Sequence, residues 1–121
     1  TGDPDRKGVA KGYGFNINIH LPCGSGNLNI ENAFLNHLRP KALDFSPDFV
    51  LISAGFDSRK NDLLGCFNID DNGYRTITKI TSEIANVSAG GRIISILEGG
   101  YNPSGVASSV NAHVEELIST V

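Results

Sequence analysis

Two apolar runs constrain this chain more than any other feature. Phe49-Val50-Leu51-Ile52-Ser53-Ala54 follows the turn-like Ser46-Pro47-Asp48 and gives way to Gly55-Phe56-Asp57. Ile93-Ile94-Ser95-Ile96-Leu97 leads in the same way into Glu98-Gly99-Gly100-Tyr101. Unbroken runs of this length suit strands buried on both faces of a parallel sheet. In an open α/β sheet, ligands bind in the crevice beyond the carboxyl ends of the strands. Asp57 and Tyr101 fall at that edge, so one site shared by both is expected.

The rest of the chain supplies the helices such a sheet needs. Residues 1–11 are polar and read as a loop. From Tyr13 the pattern has period two, with Tyr13, Phe15, Ile17, Ile19 and Leu21 opposite Gly14, Asn16, Asn18 and His20. It predicts a strand nearer a sheet edge, broken by Pro22-Cys23-Gly24-Ser25-Gly26. Ile30, Phe34, Leu38 and Ala42, with Leu35 beside them, predict a helix with Asn29 as its N-cap. Pro40 removes a backbone hydrogen bond and predicts a kink or an early stop.

A polar loop, Ser58 to Asn68, follows the central run. Asp71 is the expected cap of a second helix, with Tyr74, Ile77, Ile80, Ile84 and Val87 on its apolar face and Gly90-Gly91 at its end. A last helix is predicted from Asn102 as cap and Pro103 at its first position, with Val106, Val110, Val114 and Leu117 as its stripe. The order β-α-β-α-β-α predicts an α/β fold, a parallel sheet flanked by helices. Three strands make a narrow sheet, so cover for both faces of its inner strands is expected from outside this chain.

Length and charge narrow the function. A chain of 121 residues suffices for one domain. With 40% hydrophobic and 19% charged residues it reads as globular rather than disordered. A net charge of -3 gives no electrostatic case for direct binding of nucleic acid, and no run is long enough to suggest a membrane span. Cys23 and Cys66 are too few and too far apart for a zinc ribbon; a single disulfide is possible, but reduced thiols and a cytoplasmic setting are the expectation. The opening Thr1-Gly2-Asp3-Pro4-Asp5 lacks an initiator Met and resembles the middle of a loop, so a fragment or a processed chain is expected.

Several residues are candidates for chemistry. Asp57 is either a turn-capping aspartate or a functional carboxylate, and its place at a strand's end favours the second. Gly99 and Gly100 permit dihedrals or close approaches that a side chain forbids. A phenol held there, Tyr101, is suited to donate to an oxyanion; the plainer reading is a tyrosine packed on the sheet. Glu98 is expected to answer an interior N–H or a basic residue, and Asp62 to be an ordinary loop residue. Gly12-Tyr13-Gly14 and Gly24-Ser25-Gly26 are poor phosphate loops, which argues against a flavodoxin-like nucleotide binder. His20, His37 and His113 have no ligand-like spacing, and the latter two are expected on helix surfaces.

Ser53-Ala54-Gly55-Phe56-Asp57, Asp62-Leu63-Leu64-Gly65 and Leu97-Glu98-Gly99-Gly100-Tyr101-Asn102 together resemble the zinc-dependent histone deacetylase superfamily. The likeness is closest to its class II and bacterial amidohydrolase or acetylpolyamine-deacetylase branch. Thr1-Gly2-Asp3, the stretch from Gly12 to Ile19, Leu21-Pro22 and Gly24-Ser25-Gly26 recur in the same order, so the resemblance covers nearly the whole chain.

The resemblance implies an arginase/deacetylase-like three-layer sandwich, of which residues 1–121 are the C-terminal portion of the catalytic domain. It implies that Asp57 is a ligand to Zn2+, that Tyr101 hydrogen-bonds the substrate carbonyl, and that Gly99 and Gly100 form the active-site loop. The implied reaction is hydrolysis of an N-acetyl amide, in acetyl-lysine or an acetylpolyamine, with a histidine as general base. The family's Asp-x-His ligand pair, its His-His dyad and the aromatic pair of its channel would lie upstream of Thr1. The chain by itself is therefore expected to be inactive, and to associate with itself or with that N-terminal portion. A binding or structural module that keeps the fold without the chemistry is the alternative. Asp62-Leu63-Leu64-Gly65 stands where relatives usually have Asp-Pro-Leu-Gly, and His20 where a proline is common.

Overall fold

The computed structural model describes residues 2–120, so Thr1, part of the Thr1-Gly2-Asp3 stretch, lies outside the described residues. Its centre is a parallel pair, β1 (Val50–Ala54) beside β2 (Ile93–Leu97), in register from Val50↔Ile93 to Ala54↔Leu97. The helices are α1 (Asn27–Ala33), α2 (Arg39–Phe45), α3 (Asp71–Ser88) and α4 (Pro103–Ser119). The expected α/β architecture is present, with α3 as the crossover between the strands. Among the described residues the sheet has two strands rather than three.

The absent strand is the alternating segment from Tyr13 to Leu21, which pairs with no strand among the described residues. Its alternation nevertheless separates two faces. Asn16 and Asn18 donate through their side-chain amides to the carbonyls of Arg6 and Asp3 at 2.8–2.9 Å, and the His20 ring lies 2.5 Å from the Gly2 carbonyl. The other face turns toward the helical segment, where Phe15 meets Phe45 edge to face at 5.7 Å. Period two thus reports an extended chain with unlike sides; a ladder also needs a neighbour, and among the described residues this segment has none.

Helix α1 begins one turn earlier than Asn29. Gly26 is its N-cap, and the Asn29 side chain reaches back to accept the Gly26 N–H at 3.0 Å. Pro40 neither stops nor sharply breaks the helix. A wide π turn over Phe34–Leu38 joins α1 to α2, as the proline ring would collide with the carbonyl one turn back in a regular helix. The N-cap of α3 is Asp70 rather than Asp71, its carboxylate accepting the N–H groups of Asn72 and Gly73 at 3.0 and 3.3 Å. That cap is worth about 1 kcal/mol. Gly90 and Gly91 end the helix with positive φ, as expected. Asn102 caps α4 by accepting from the Gly105 N–H at 3.2 Å.

Helices α1, α3 and α4 pack on one side of the sheet, and α2 lies against α3. Val50, Ile52, Ala54, Ile93 and Ser95 alternate with residues on the bare side, where Leu51 is 68% and Ile96 55% exposed. The core gathers Ala54, Phe56, Ile69 and Tyr74, with Ile30, Phe67, Val106 and Val110 packed on it. Helix α4 buries Gly105, Ser109, Ala112 and His113 rather than the full valine stripe, and Val114 is exposed. Small residues line that face, and a Cβ on Gly105 would meet the Arg59 side chain at 2.9 Å, a fit that apolar periodicity does not encode.

His113, expected on the surface, is buried, and Glu98, expected inside, is exposed. The His113 Nδ1 lies 2.6 Å from the Thr78 hydroxyl and its Nε2 2.8 Å from that of Ser95. Thr78 already donates to the Tyr74 carbonyl at 2.7 Å. It therefore accepts from His113, which places the proton on Nδ1 and leaves Nε2 to accept from Ser95. The ring joins α3, α4 and β2, and burial lowers its pKa.

Candidate active site

The two strands keep their pairing beyond their last residues. Glu98 N–H donates to the Ala54 carbonyl at 3.0 Å, and Phe56 N–H to the Gly99 carbonyl at 2.7 Å. This carries both chain exits to one edge side by side. Phe56 turns inward and is buried against the rings of Tyr74 and His113, with centroids 5.0 and 5.9 Å away. The chain turns after Phe56, and the Asp57 carboxylate lies against Gly99 at the edge.

Asp57 and Tyr101 converge on Gly99. A Cβ at Gly99 would stand 2.8 Å from Asp57 Oδ2 and 3.7 Å from the Tyr101 hydroxyl. The first distance is shorter than any real side chain tolerates, so glycine is what leaves room for the carboxylate. Gly100 has φ +136°, and a Cβ there would meet Val106 Cγ2 at 2.6 Å. The Gly99-Gly100 pair thus combines a close approach with a backbone conformation that other residues rarely adopt, as the sequence predicts. Tyr101 is half exposed.

The loop after Asp57 is held from beneath. The Ser58 hydroxyl is 2.8 Å from that of Tyr74, whose phenol burial pushes up to about 12. Arg59 pairs with Asp71 at the start of α3 and bonds Ser109 of α4. Ser108 and Ser109 also donate to Asp71, and these hydroxyls and the guanidinium hold its carboxyl below the usual range. Asp62 accepts the N–H groups of Leu64 and Gly65 at 2.9 Å and that of Tyr101 at 2.7 Å. These backbone donors, Gly65 first, lower its pKa. Asp62 is therefore more than the ordinary loop residue expected. Neither Arg59 nor Asp62 carries a sequence signal for such long-range roles.

What this edge can hold follows from its donors. Asp57 is half-buried, yet among the described residues its carboxylate accepts no hydrogen bond, in contrast to Asp62 and Asp70. An anionic oxygen kept free in this way suits a divalent cation such as zinc. It is one donor of the four that a tetrahedral site needs, and no cluster of three or more His, Cys, Asp or Glu side chains able to hold a metal occurs among the described residues. The histidines do not complete it: His113 is engaged through both nitrogens, His20 lies at the Gly2 carbonyl, and His37 is on the π turn. Cys23 and Cys66 are free thiols, the former donating to the Cys66 carbonyl at 3.3 Å. No described helix is long and apolar enough to cross a membrane.

Residues 1–117 match the family model of the histone deacetylase domain. The chain is 38% identical to histone deacetylase 15 of Arabidopsis thaliana over 98% of its own length and 21% of that protein. It is 36% identical to the human polyamine deacetylase HDAC10, over 96% of its length and 17% of that relative. Among solved structures, the deacetylase domain of HDA15 superimposes with a TM-score of 0.91 at 37% identity, covering all of this chain and 34% of that one. The histone deacetylase Clr3 gives 0.88 at 30% identity, over 96% of this chain and 19% of its own. The chain thus spans about a fifth of the length of these curated relatives.

Proposed function

The chain belongs to the histone deacetylase domain family, and from that premise we propose that it supplies the C-terminal part of a zinc-dependent centre hydrolysing N-acetyl amides. Asp57 is a ligand to the metal and Tyr101 donates to the acyl oxygen. The observation that carries this reading is the convergence of Asp57 Oδ2 and the Tyr101 hydroxyl on the space that Gly99 leaves open.

Bound zinc supplies Lewis acidity toward the acyl carbonyl and toward water. The residues of this chain do the rest of what is assigned to them. Asp57 brings a fixed negative charge, free of competing hydrogen bonds, to the edge of the sheet. Tyr101 offers a hydroxyl donor whose interaction strengthens only as negative charge grows on the acyl oxygen, which is where a donor accelerates a reaction. Gly99 leaves room for the two to approach, and Gly100 takes the positive φ that packs the loop against Phe56 and Val106. The remaining metal donors and the general base belong to residues other than those described. An acetylated lysine side chain or an acetylpolyamine is the substrate class, matching the kinds of deacetylase named among the relatives.

The test is Asp57→Asn in a complete deacetylase domain carrying these residues. The amide is nearly isosteric, so folding should persist, but it is neutral and a poorer metal donor. Loss of most bound zinc is expected, with the secondary structure kept in circular dichroism and the melting temperature lowered no further than in the zinc-stripped unsubstituted domain. Equal zinc in both proteins would leave Asp57 a turn residue and overturn the reading.

A further inference from the structure

We propose that Asp62 is the positioning residue for Tyr101, fixing the backbone from which the tyrosine side chain reaches the edge beside Asp57. The assignment rests on the deacetylase reading and extends it to a residue outside the pair that does the chemistry.

Tyr101 sits in a loop that has little else to hold it. It follows two glycines, the residue type with most backbone freedom to lose, and its side chain is half exposed, with no hydrogen bond to its hydroxyl among the described residues. Its orientation is therefore set through the main chain. There the Asp62 Oδ2 accepts its N–H at 2.7 Å across 39 residues of sequence. Beside this link, the Asn102 side-chain amide donates to the Asn61 carbonyl at 2.9 Å. Two successive residues of one loop thus hold two successive residues of the other.

The division of labour within the Asp62 carboxylate is equally telling. Oδ1 takes the N–H groups of Leu64 and Gly65, a local turn that aspartate and asparagine both form well. Oδ2 takes the N–H of Tyr101. Bonds from an N–H to an ionised acceptor are short and about twice as strong as neutral ones. The acceptor is also rooted in the loop that leaves β1 with Asp57, so it ties the position of the hydroxyl to that of the carboxylate.

This geometry supplies a variant that cuts only the long link. In Asp62→Asn the side-chain oxygen can still serve Leu64 and Gly65, while the amide NH2 faces the Tyr101 N–H, donor against donor. In a complete deacetylase domain, the variant should keep its zinc and raise the exchange rate of the Tyr101 amide. With the reacting group misplaced, kcat should fall by up to about 10²-fold, with KM little changed. In a Tyr101→Phe background the same substitution should cost almost nothing further, because its effect runs through that hydroxyl.

An equal loss in both backgrounds, or unchanged kcat, would overturn the assignment. Rapid exchange of the Tyr101 amide in the unsubstituted domain would do the same, and that measurement needs no variant to fold. A domain without zinc or turnover would sink the deacetylase reading and this assignment with it, whereas turnover with kcat indifferent to Asp62 sinks this assignment alone.

Discussion

Asp57 Oδ2 stands 2.8 Å from the point where a side chain on Gly99 would begin. The carboxylate from the first strand exit occupies space that the second strand exit leaves by having no Cβ. A single methyl at position 99 must therefore displace the Asp57 carboxylate, the loop after β2, or both. In a complete deacetylase domain, Gly99→Ala should weaken zinc binding by about 10–100-fold, the usual effect of disturbing a ligand's support. Metal titration against a competing chelator reads this, and full affinity in the variant would remove Gly99 from the account of the site.

Tyr101→Phe separates the hydroxyl from the ring. Losing one donor to a developing oxyanion typically costs about 10²–10³ in rate, and the metal should stay, because Asp57 is untouched. Turnover and zinc content measured together test this. Unchanged kcat would make Tyr101 a packing residue.

His113 gives the stability a pH dependence of known sign. Burial lowers its folded pKa below the unfolded value of about 6.5. The unfolded state then binds the extra proton first, so stabilisation present above about pH 6.5 is lost progressively as pH falls from there toward the lower folded pKa. The depressed carboxylates Asp62, Asp70 and Asp71 lose theirs only on further acidification. Urea unfolding at pH 7.5 and 5.5 should show a loss that His113→Gln largely abolishes. A pH-independent difference would mean that the imidazole titrates freely in the fold.

The bare side of the sheet predicts the behaviour of the isolated chain. Leu51, Ile94 and Ile96 are exposed together, and a contiguous apolar patch of this kind marks a surface that associates. We expect the isolated polypeptide to bind hydrophobic dyes and to self-associate in light scattering, without hydrolysing acetyl-lysine substrates. A dye-silent monomer would count against the first expectation, and zinc-dependent turnover against the second.

What could be read from the residues follows from how local each cause is. Both strands, the end of α3 at Gly90-Gly91 and the Asn102 cap depend on neighbours within a few positions, and they stand where expected. The convergence of Asp57 with Tyr101 was legible because both follow apolar strands of one parallel sheet. Asp62 was not, since its local half looks like any turn and its other partner is 39 residues away. His113 was missed because the buried face of α4 is built from Gly105, Ser109 and Ala112, whose smallness matters only once distant parts of the chain such as Arg59 lie beside them. The alternation from Tyr13 misled because pattern reports sidedness and says nothing of a pairing partner.

The pairing of Val50 with Ile93 and of Ala54 with Leu97 also governs when the site comes into being. No hairpin can start this sheet: its partners meet only after the whole intervening crossover has closed, and the entropy of that closure precedes any reward from pairing. Helix α3, by contrast, forms from contacts a turn apart. Conservative truncations should therefore divide, Ile84→Val mainly slowing refolding and Ile52→Val mainly hastening unfolding. Stopped-flow kinetics with the reverse division would put the strands in the nucleus. The edge where Asp57 and Tyr101 meet is thus a late product of folding, assembled after the helix that spans it.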